Sequence, residues 1–157
     1  MCLSIYILTS FCVQLDFGVS QLRFQSILEI MKVKSVSGLG FYVQDIAKTA
    51  EFYEMLGFRV GERTDTYLKV YLNWFFMQFI AAGSEDKPAF QKEANAQPRG
   101  AGMYIHLAVE DVDELYKEVV AKGHKPSSEP RDWTDWGTRE FVLRDPDGYK
   151  LVFFQKK

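Results

Sequence analysis

The sequence has few of the residues that would support a disulfide framework or a metal cluster. Two of its 157 residues are cysteines, Cys2 and Cys12. Two early cysteines followed by a cysteine-free remainder exclude a disulfide framework and indicate a reducing compartment, which we expect to be the cytoplasm. Histidine also occurs twice, whereas a catalytic divalent metal normally needs three His or carboxylate ligands.

An excess of charge of one sign is also lacking. The net charge of −2 and a pI near 5.7 argue against a nucleic-acid partner. Hydrophobic residues make up 47% of the chain and aromatic residues 15%, so a full core is available and bulk disorder is excluded. The length allows one ordinary domain, or two small halves that share a core.

No apolar run is long enough to span a bilayer. Met1–Leu15 is largely apolar, but it is short and interrupted by polar residues. The first basic residue is Arg23, so the basic start of a secretory signal is missing. We expect residues 1–30 to be an N-terminal extension outside the native core and Met31 to be the natural start. The alternatives are a native strand or helix, or a membrane anchor.

The strongest local pattern lies near the C-terminus, where two apolar runs flank Asp-Pro-Asp-Gly at residues 145–148. Proline presets φ for a turn, aspartate bonds back to the backbone, and glycine takes the position with positive φ. The pattern therefore predicts a β-hairpin. The motif WG-x-x-EF, at residues 136–141, precedes the turn.

A strand–helix–strand–strand–strand order occurs twice. Asp45 and Asp111 are predicted helix N-caps, and Gly57 and Gly123 are predicted to end those helices. Fourteen positions separate the valine before each cap from its glycine in both halves. This duplication predicts an α+β fold of two tandem βαβββ modules. The predicted boundaries are residues 31–83 for module 1, residues 84–101 for a polar linker and residues 102–155 for module 2.

Apolar runs between polar turns predict the individual elements. The predicted helices cover residues 46–56 and 112–122. The predicted strands are Val36–Val43, Arg59–Val60, Tyr67–Leu72 and Trp74–Ile80 in module 1, and Met103–Val109, the region around Lys125–Pro126, Thr138–Arg144 and Tyr149–Phe154 in module 2.

The hairpin and the duplicated order together resemble the vicinal-oxygen-chelate superfamily, which includes glyoxalase I, extradiol dioxygenases and fosfomycin- and bleomycin-resistance proteins. The WG-x-x-EF motif is most similar to the bleomycin-resistance branch. The resemblance covers residues 31–157 and implies that the two modules form curled half-barrel sheets around a ligand cleft. It also implies a homodimer, because members of this size commonly complete their clefts across a two-fold interface.

Metal-dependent members of that superfamily carry ligands at four positions, which correspond here to Gly38, Gln78, Tyr104 and Val152. Glycine and valine have no donor atom, tyrosine is an occasional ligand, and glutamine is a weak one. We therefore predict that the protein uses no metal and no cofactor. His106 shares the face of Tyr104 by strand alternation, and a single imidazole there is more often a ligand contact than a metal site.

Aromatic side chains remain as the main candidate surface. Trp133 and Trp136 belong to the predicted loop Glu129–Gly137, which should overhang the cleft, and Tyr104 and His106 should form its floor. Such rings stack on planar ligands and attract cations. The predicted ligand-binding residues are Tyr104, His106, Trp133, Trp136, Gln78, Trp74 and Glu140.

Carboxylates accompany these rings. Glu140, beside Arg139, fits an acid–base pair, although a hairpin salt bridge or a dimer contact is the commoner role for such a pair. Asp132 and Asp135 flank the tryptophans and would reinforce a preference for a cationic ligand.

The sequence as a whole predicts a small-molecule-binding protein that sequesters a flat or amphipathic ligand and performs no chemistry. One alternative is a divergent glyoxalase-like lyase or dioxygenase that recruits a divalent metal through His106, so the question of catalysis stays open. Another is a regulatory module whose cleft is filled by its own side chains. No G-x-S-x-G, P-loop or G-x-G-x-x-G motif is present. We expect neither a nucleic-acid nor a membrane partner.

Overall fold

The two halves of the chain contain the same order of strands and helix. The computed structural model describes residues 35–157. Our prediction of an N-terminal extension over residues 1–30 therefore lies outside the described residues. Ser37–Lys157 form one compact unit.

Each module contributes four strands and one main helix. Module 1 consists of β1 (Gly38–Val43), α1 (Ile46–Met55), β2 (Arg59–Arg63), β3 (Tyr67–Leu72) and β4 (Phe75–Ala81). A 3-10 turn (Ala82–Ser84) and helix α2 (Pro88–Ala94) follow. Module 2 consists of β5 (Tyr104–Ala108), α3 (Val112–Ala121), β6 (Arg131–Trp133), β7 (Thr138–Arg144) and β8 (Lys150–Lys156). The predicted α+β class with two βαβββ modules is confirmed.

Strand pairing is the same in both modules. The strand orders are β1-β4-β3-β2 and β5-β8-β7-β6, and the first pair in each sheet is parallel while the others are antiparallel. Gly40 lies opposite Gln78 in module 1, and His106 lies opposite Val152 in module 2. The register therefore shows which residue of the module 2 sheet is equivalent to each residue of the module 1 sheet.

Both main helices begin at the predicted caps. The side chain of Asp45 accepts hydrogen bonds from two backbone N–H groups of the first turn, and that of Asp111 accepts one. These bonds satisfy donors that have no partner within a helix. Gly57 and Gly123 follow the helices with φ of 87° and 86°, a conformation that glycine adopts without strain.

Each sheet buries one face beneath its helix and leaves the other face uncovered. Met77 and Phe79 of β4 are 1% and 0% exposed on the covered side, and Phe141 and Leu143 of β7 are equally buried. All four belong to one hydrophobic cluster that takes residues from both modules. Strand alternation therefore sends the intervening residues to the uncovered faces.

The Asp-Pro-Asp-Gly turn attaches module 2 to module 1. The backbone N–H groups of Asp147 and Tyr149 donate to Asp145 Oδ1, and the Tyr53 hydroxyl on α1 donates to Asp145 Oδ2. The Gln44 backbone N–H, just after β1, donates to Asp147 Oδ1 at 2.8 Å. The turn predicted from the sequence thus also contacts the other half of the fold.

The position that we predicted for one strand of module 2 is wrong. Lys125–Pro126 do not form a strand, and the equivalent strand is Arg131–Trp133. Pro126 has no N–H to donate to a ladder. Ser127 instead donates a single backbone hydrogen bond to the carbonyl of Val142, at 2.7 Å.

Two further details, one at the start of β4 and one between the modules, also differ from expectation. Strand β4 begins at Phe75, because Trp74 lies in a tight turn in which Asn73 has a φ of 54°. Helix α2 lies within residues 84–101, where we predicted a linker without a helix. The module and linker boundaries themselves stay predictions. Across residues 35–157, no helix is long and apolar enough to cross a membrane.

Asp145 provides a test of how the modules are joined. Burial raises its pKa to about 6, above the value of about 3.9 in an unfolded chain. The folded state therefore holds this proton more tightly, and the contribution of Asp145 to stability falls by about 3 kcal/mol as the pH rises from about 4 to above 6. We expect Asp145→Asn, which keeps the shape and one acceptor, to gain about 3 kcal/mol of stability relative to the wild type as the pH rises across that range. Urea unfolding as a function of pH measures the difference.

Asp86→Asn is the matched control, since Asp86 is exposed and its neutralisation should leave the pH profile of the wild type unchanged. If the free energies of unfolding of the wild type and Asp145→Asn change in parallel between about pH 4 and pH 7, burial does not raise the pKa of Asp145.

Candidate ligand-binding site

An aromatic cavity of about 360 Å³ lies on the uncovered face of the module 2 sheet. Its volume falls within the range of small-molecule pockets. Its lining is mostly aromatic and apolar, with three charged side chains among it. The lining residues are Tyr104, His106, Ser128, Arg131, Trp133, Trp136, Glu140, Val142, Lys150 and Val152.

Strand β5 provides two rings of the cavity. Tyr104 and His106 are two residues apart, so alternation directs both to the uncovered face, and their ring centroids are 5.1 Å apart. Phe154 on the neighbouring strand β8 lies 5.7 Å from the His106 ring. Tyr104 is 59% exposed, so much of this aromatic surface is open to solvent.

The two tryptophans stack on each other. Trp133 ends β6 and Trp136 lies in the turn that follows, with ring centroids 5.5 Å apart and planes inclined by 21°. The guanidinium carbon of Arg131 lies 3.6 Å from the centroid of the Trp133 ring. Trp133 therefore contacts two planar neighbours, whereas Trp136 is 66% exposed.

Glu140 is the buried charge of the cavity. It is 7% exposed and accepts a hydrogen bond of 2.7 Å from the Thr138 hydroxyl. Its neighbour Arg139 points to the opposite face of the sheet and pairs with Asp113 and Asp132, at 2.7 and 2.9 Å. Glu140 and Arg139 therefore form neither the acid–base pair nor the salt bridge with each other that the sequence suggested, because adjacent residues of a strand point to opposite faces. Arg139 does form a salt bridge across the β6–β7 hairpin, with Asp132, and a dimer contact stays a prediction.

The aspartates near the tryptophans do not line the cavity. Asp132 alternates with Arg131 and Trp133 and so points away from them. Hydrogen bonds from Lys157 and then Arg139 hold the pKa of Asp132 below its usual value. We expected Asp132 and Asp135 to reinforce a preference for a cationic ligand, but neither side chain lines the cavity.

The structure brings five of the seven predicted site residues together. Tyr104, His106, Trp133, Trp136 and Glu140 line one cavity, and their role in binding a ligand stays a prediction.

The other two predicted residues belong to module 1. Gln78 lies opposite Gly40 on the module 1 sheet, where the Tyr67 hydroxyl is 3.4 Å from its Oε1 atom. Trp74, in the turn between β3 and β4, is 76% exposed. Both residues belong to module 1, and neither lines the cavity.

Sequence analysis missed several lining residues, of which Arg131 and Lys150 carry charge. Arg131 shares a face with Trp133, and Lys150 shares one with Val152, by the same alternation that placed the rings. Arg131 was missed because a three-residue strand leaves too short a pattern to be read. Lys150 was missed because it directly follows the turn, where a lysine is typically solvated.

A second cavity, of about 400 Å³, lies where α1 ends and α3 begins. Its floor is apolar, and its rim carries the carboxylates of Glu110, Asp111, Glu114 and Glu118. Asp111 and Glu114 also serve the N-terminus of α3, where acidic side chains are stabilised.

The residues at the four superfamily metal positions do not fit a divalent ion. A Cβ atom at Gly38 would lie 2.5 Å from the carbonyl oxygen of Phe76 and 2.6 Å from its ring, so no liganding side chain has room there. Val152 offers no donor atom. Among residues 35–157, no group of three or more His, Cys, Asp or Glu side chains is placed to share a metal ion.

Comparisons with known proteins agree with this fold. The Glyoxalase/Bleomycin resistance protein/Dioxygenase superfamily model matches residues 34–153. A bleomycin resistance protein of Geobacillus stearothermophilus is 30% identical over 125 residues, which cover 73% of this chain and 91% of that protein. A probable chloroplastic lactoylglutathione lyase of Arabidopsis thaliana is 30% identical over 123 residues, which cover 74% of this chain but 34% of that protein.

A solved structure shows the same fold at lower identity. It is described as a glyoxalase/bleomycin resistance protein/dioxygenase family enzyme from Burkholderia phytofirmans PsJN, and it is 18% identical with a TM-score of 0.69. The alignment covers 79% of this chain and all of that one. Together with the duplicated modules, the family match means that this chain belongs to the Glyoxalase/Bleomycin resistance protein/Dioxygenase superfamily.

Proposed function

We propose that the protein binds a flat or amphipathic small molecule in its aromatic cavity and sequesters it without chemical change. The observation that carries the proposal is the stacked pair Trp133 and Trp136, 5.5 Å apart, beside the rings of Tyr104 and His106. Small-molecule sites are typically aromatic, with a few polar groups that fix orientation. The bacterial relative named for bleomycin resistance supports the same reading.

The proposed mechanism is binding energy alone. Stacking of a planar ligand on one indole face contributes about 1 kcal/mol beyond the area that it buries, which corresponds to about five-fold in affinity. Several rings acting together would lower the free concentration of the ligand in proportion to the protein present.

An enzyme that uses a divalent metal is the second candidate. The plant relative named as a lactoylglutathione lyase favours it, as does the presence of His106 and Glu140 in one cavity. The lack of donors at Gly38 and Val152 counts against it, so we rank it below sequestration.

We also propose a homodimer that resides in the cytoplasm. Tyr104 and Trp136 are 59% and 66% exposed on the module 2 sheet, and Trp74 is 76% exposed on module 1. Exposed aromatic surface of this kind often marks a surface for a partner or a ligand. A two-fold dimer would cover part of this exposed surface with one self-complementary contact.

Replacement of Trp136 tests the proposed site. A panel of planar aromatic compounds, together with bleomycin, would be titrated while tryptophan fluorescence is recorded. We expect Trp136→Ala to weaken a bound compound about five-fold. Because this side chain is 66% exposed, the free energy of unfolding should change by less than about 0.5 kcal/mol.

Trp74→Ala is the matched control, because Trp74 is also largely exposed, at 76%, but lies outside the cavity. It should leave the affinity unchanged. A Trp136→Ala protein that is clearly less stable, but that while folded binds every compound as the wild type does, would show that the site is misplaced.

Metal content separates the two candidate functions. We expect the full-length protein to hold well below one equivalent of Zn, Ni, Mn or Fe after gel filtration, since Gly38 and Val152 offer no ligand atoms. Elemental analysis measures this directly. About one equivalent of a single metal would favour the enzyme instead.

Sedimentation velocity tests the dimer. At micromolar concentration we expect a species of twice the 18.2 kDa chain mass. A monomer at that concentration would contradict the proposed assembly.

A further inference from the structure

Glu140 is a buried carboxylate in the cavity that has no role in the proposed binding by aromatic stacking. It is 7% exposed, lines the aromatic cavity and accepts one hydrogen bond, from the Thr138 hydroxyl. Among residues 35–157, no Lys, Arg or His nitrogen lies within 4.0 Å of its carboxylate. A buried carboxylate without a cation is costly unless a donor reaches it.

Both arginines next to Glu140 are engaged elsewhere. Arg131 is its register partner across β6 and β7, but its guanidinium packs on the Trp133 ring at 3.6 Å. Arg139, the adjacent residue, pairs with Asp113 on the opposite face of the sheet. The protein thus places two cations beside this carboxylate and pairs neither with it.

The other charges of the cavity are less buried. Arg131 is exposed and Lys150 is half-exposed, so solvent and salt screen them strongly. The charge of Glu140 is screened least, because this residue is the least exposed of the three. Of the three charged side chains, Glu140 therefore has the largest effect on whether the cavity favours a cationic or an anionic ligand.

We infer that Glu140 determines the specificity of the cavity and selects a planar aromatic molecule that bears a protonated nitrogen. The N–H groups of that nitrogen donate to the carboxylate while the ring stacks on the exposed indole of Trp136. This inference rests on the proposed function, because it concerns the same cavity.

Three probes that share one ring system test the inference. They are 2-naphthylmethylamine, 2-naphthylmethanol and 2-naphthoate, which are cationic, neutral and anionic at neutral pH. Each would be titrated into the full-length ¹⁵N-labelled protein, and the indole N–H signals would be followed by NMR. Signals of Trp133 and Trp136 report on the cavity, and that of Trp74 is an internal control on the other module.

We expect the amine to bind about ten-fold more tightly than the alcohol, because a hydrogen bond to a buried charge contributes more than one to a neutral group. The naphthoate should bind more weakly than the alcohol. The Trp133 and Trp136 signals should shift, and the Trp74 signal should not.

Substitution of Glu140 then tests whether this side chain causes the preference for the amine. Glu140→Gln keeps the size and an acceptor for Thr138, and it should lower the affinity for the amine to that for the alcohol. Glu129→Gln is the matched control, because Glu129 is exposed and outside the cavity, and it should keep the order of the probes. Should Glu140→Gln fail to fold, Glu140→Asp retains the charge and should still prefer the amine.

The outcomes separate this inference from the proposed function. If all three probes shift the Trp133 and Trp136 signals with equal affinity, the role of Glu140 is overturned and sequestration of planar ligands stands. If no probe shifts these signals, both the inference and the proposed function are overturned.

Discussion

Each sheet of this protein can bury one face, and the rest of the molecule follows from that constraint. One helix of ten residues lies on each sheet, and strand alternation sends every second side chain towards it. Phe79 and Phe141 have no exposed surface on that side. The opposite rows of side chains remain available for a ligand or a second copy of the chain.

The two modules use their uncovered faces differently, although they share one topology. In module 1 the rings of Phe76 and Tyr71 lie over glycines, since a Cβ at Gly38 or Gly61 would come within 2.6 or 2.5 Å of those rings. The Lys69 ammonium group lies 4.1 Å from the Phe76 ring centroid. These side chains cover much of their own sheet.

In module 2 the equivalent positions carry other residues. Tyr104 stands where module 1 has Gly38, and Lys150 stands where it has Phe76. Tyr104 carries a side chain where Gly38 leaves room for the Phe76 ring, and it lines a cavity together with Trp133 and Trp136. Substitutions at equivalent positions, of which Gly38 and Tyr104 are one pair, thus distinguish two faces that share one topology.

The fold and half of the site follow from patterns that act over short distances. Asp45 and Asp111 mark the helix starts because a cap needs only the first turn that it satisfies. Asp-Pro-Asp-Gly marks the last hairpin because its turn chemistry is local. Alternation from Tyr104 placed His106 on the same face without knowledge of any other strand.

Tertiary structure decided which groups meet across strands. The sequence by itself determined the α+β class, the duplicated modules and the aromatic character of the site, because these depend on periodicity and turn residues. It did not determine that Arg139 pairs with Asp113, that Arg131 packs on Trp133, or that Glu140 is left as the buried charge of the cavity. Those outcomes depend on the register of β6 against β7 and on the position of α3. Both are determined only when the sheet assembles, because they bring together residues that are far apart in sequence.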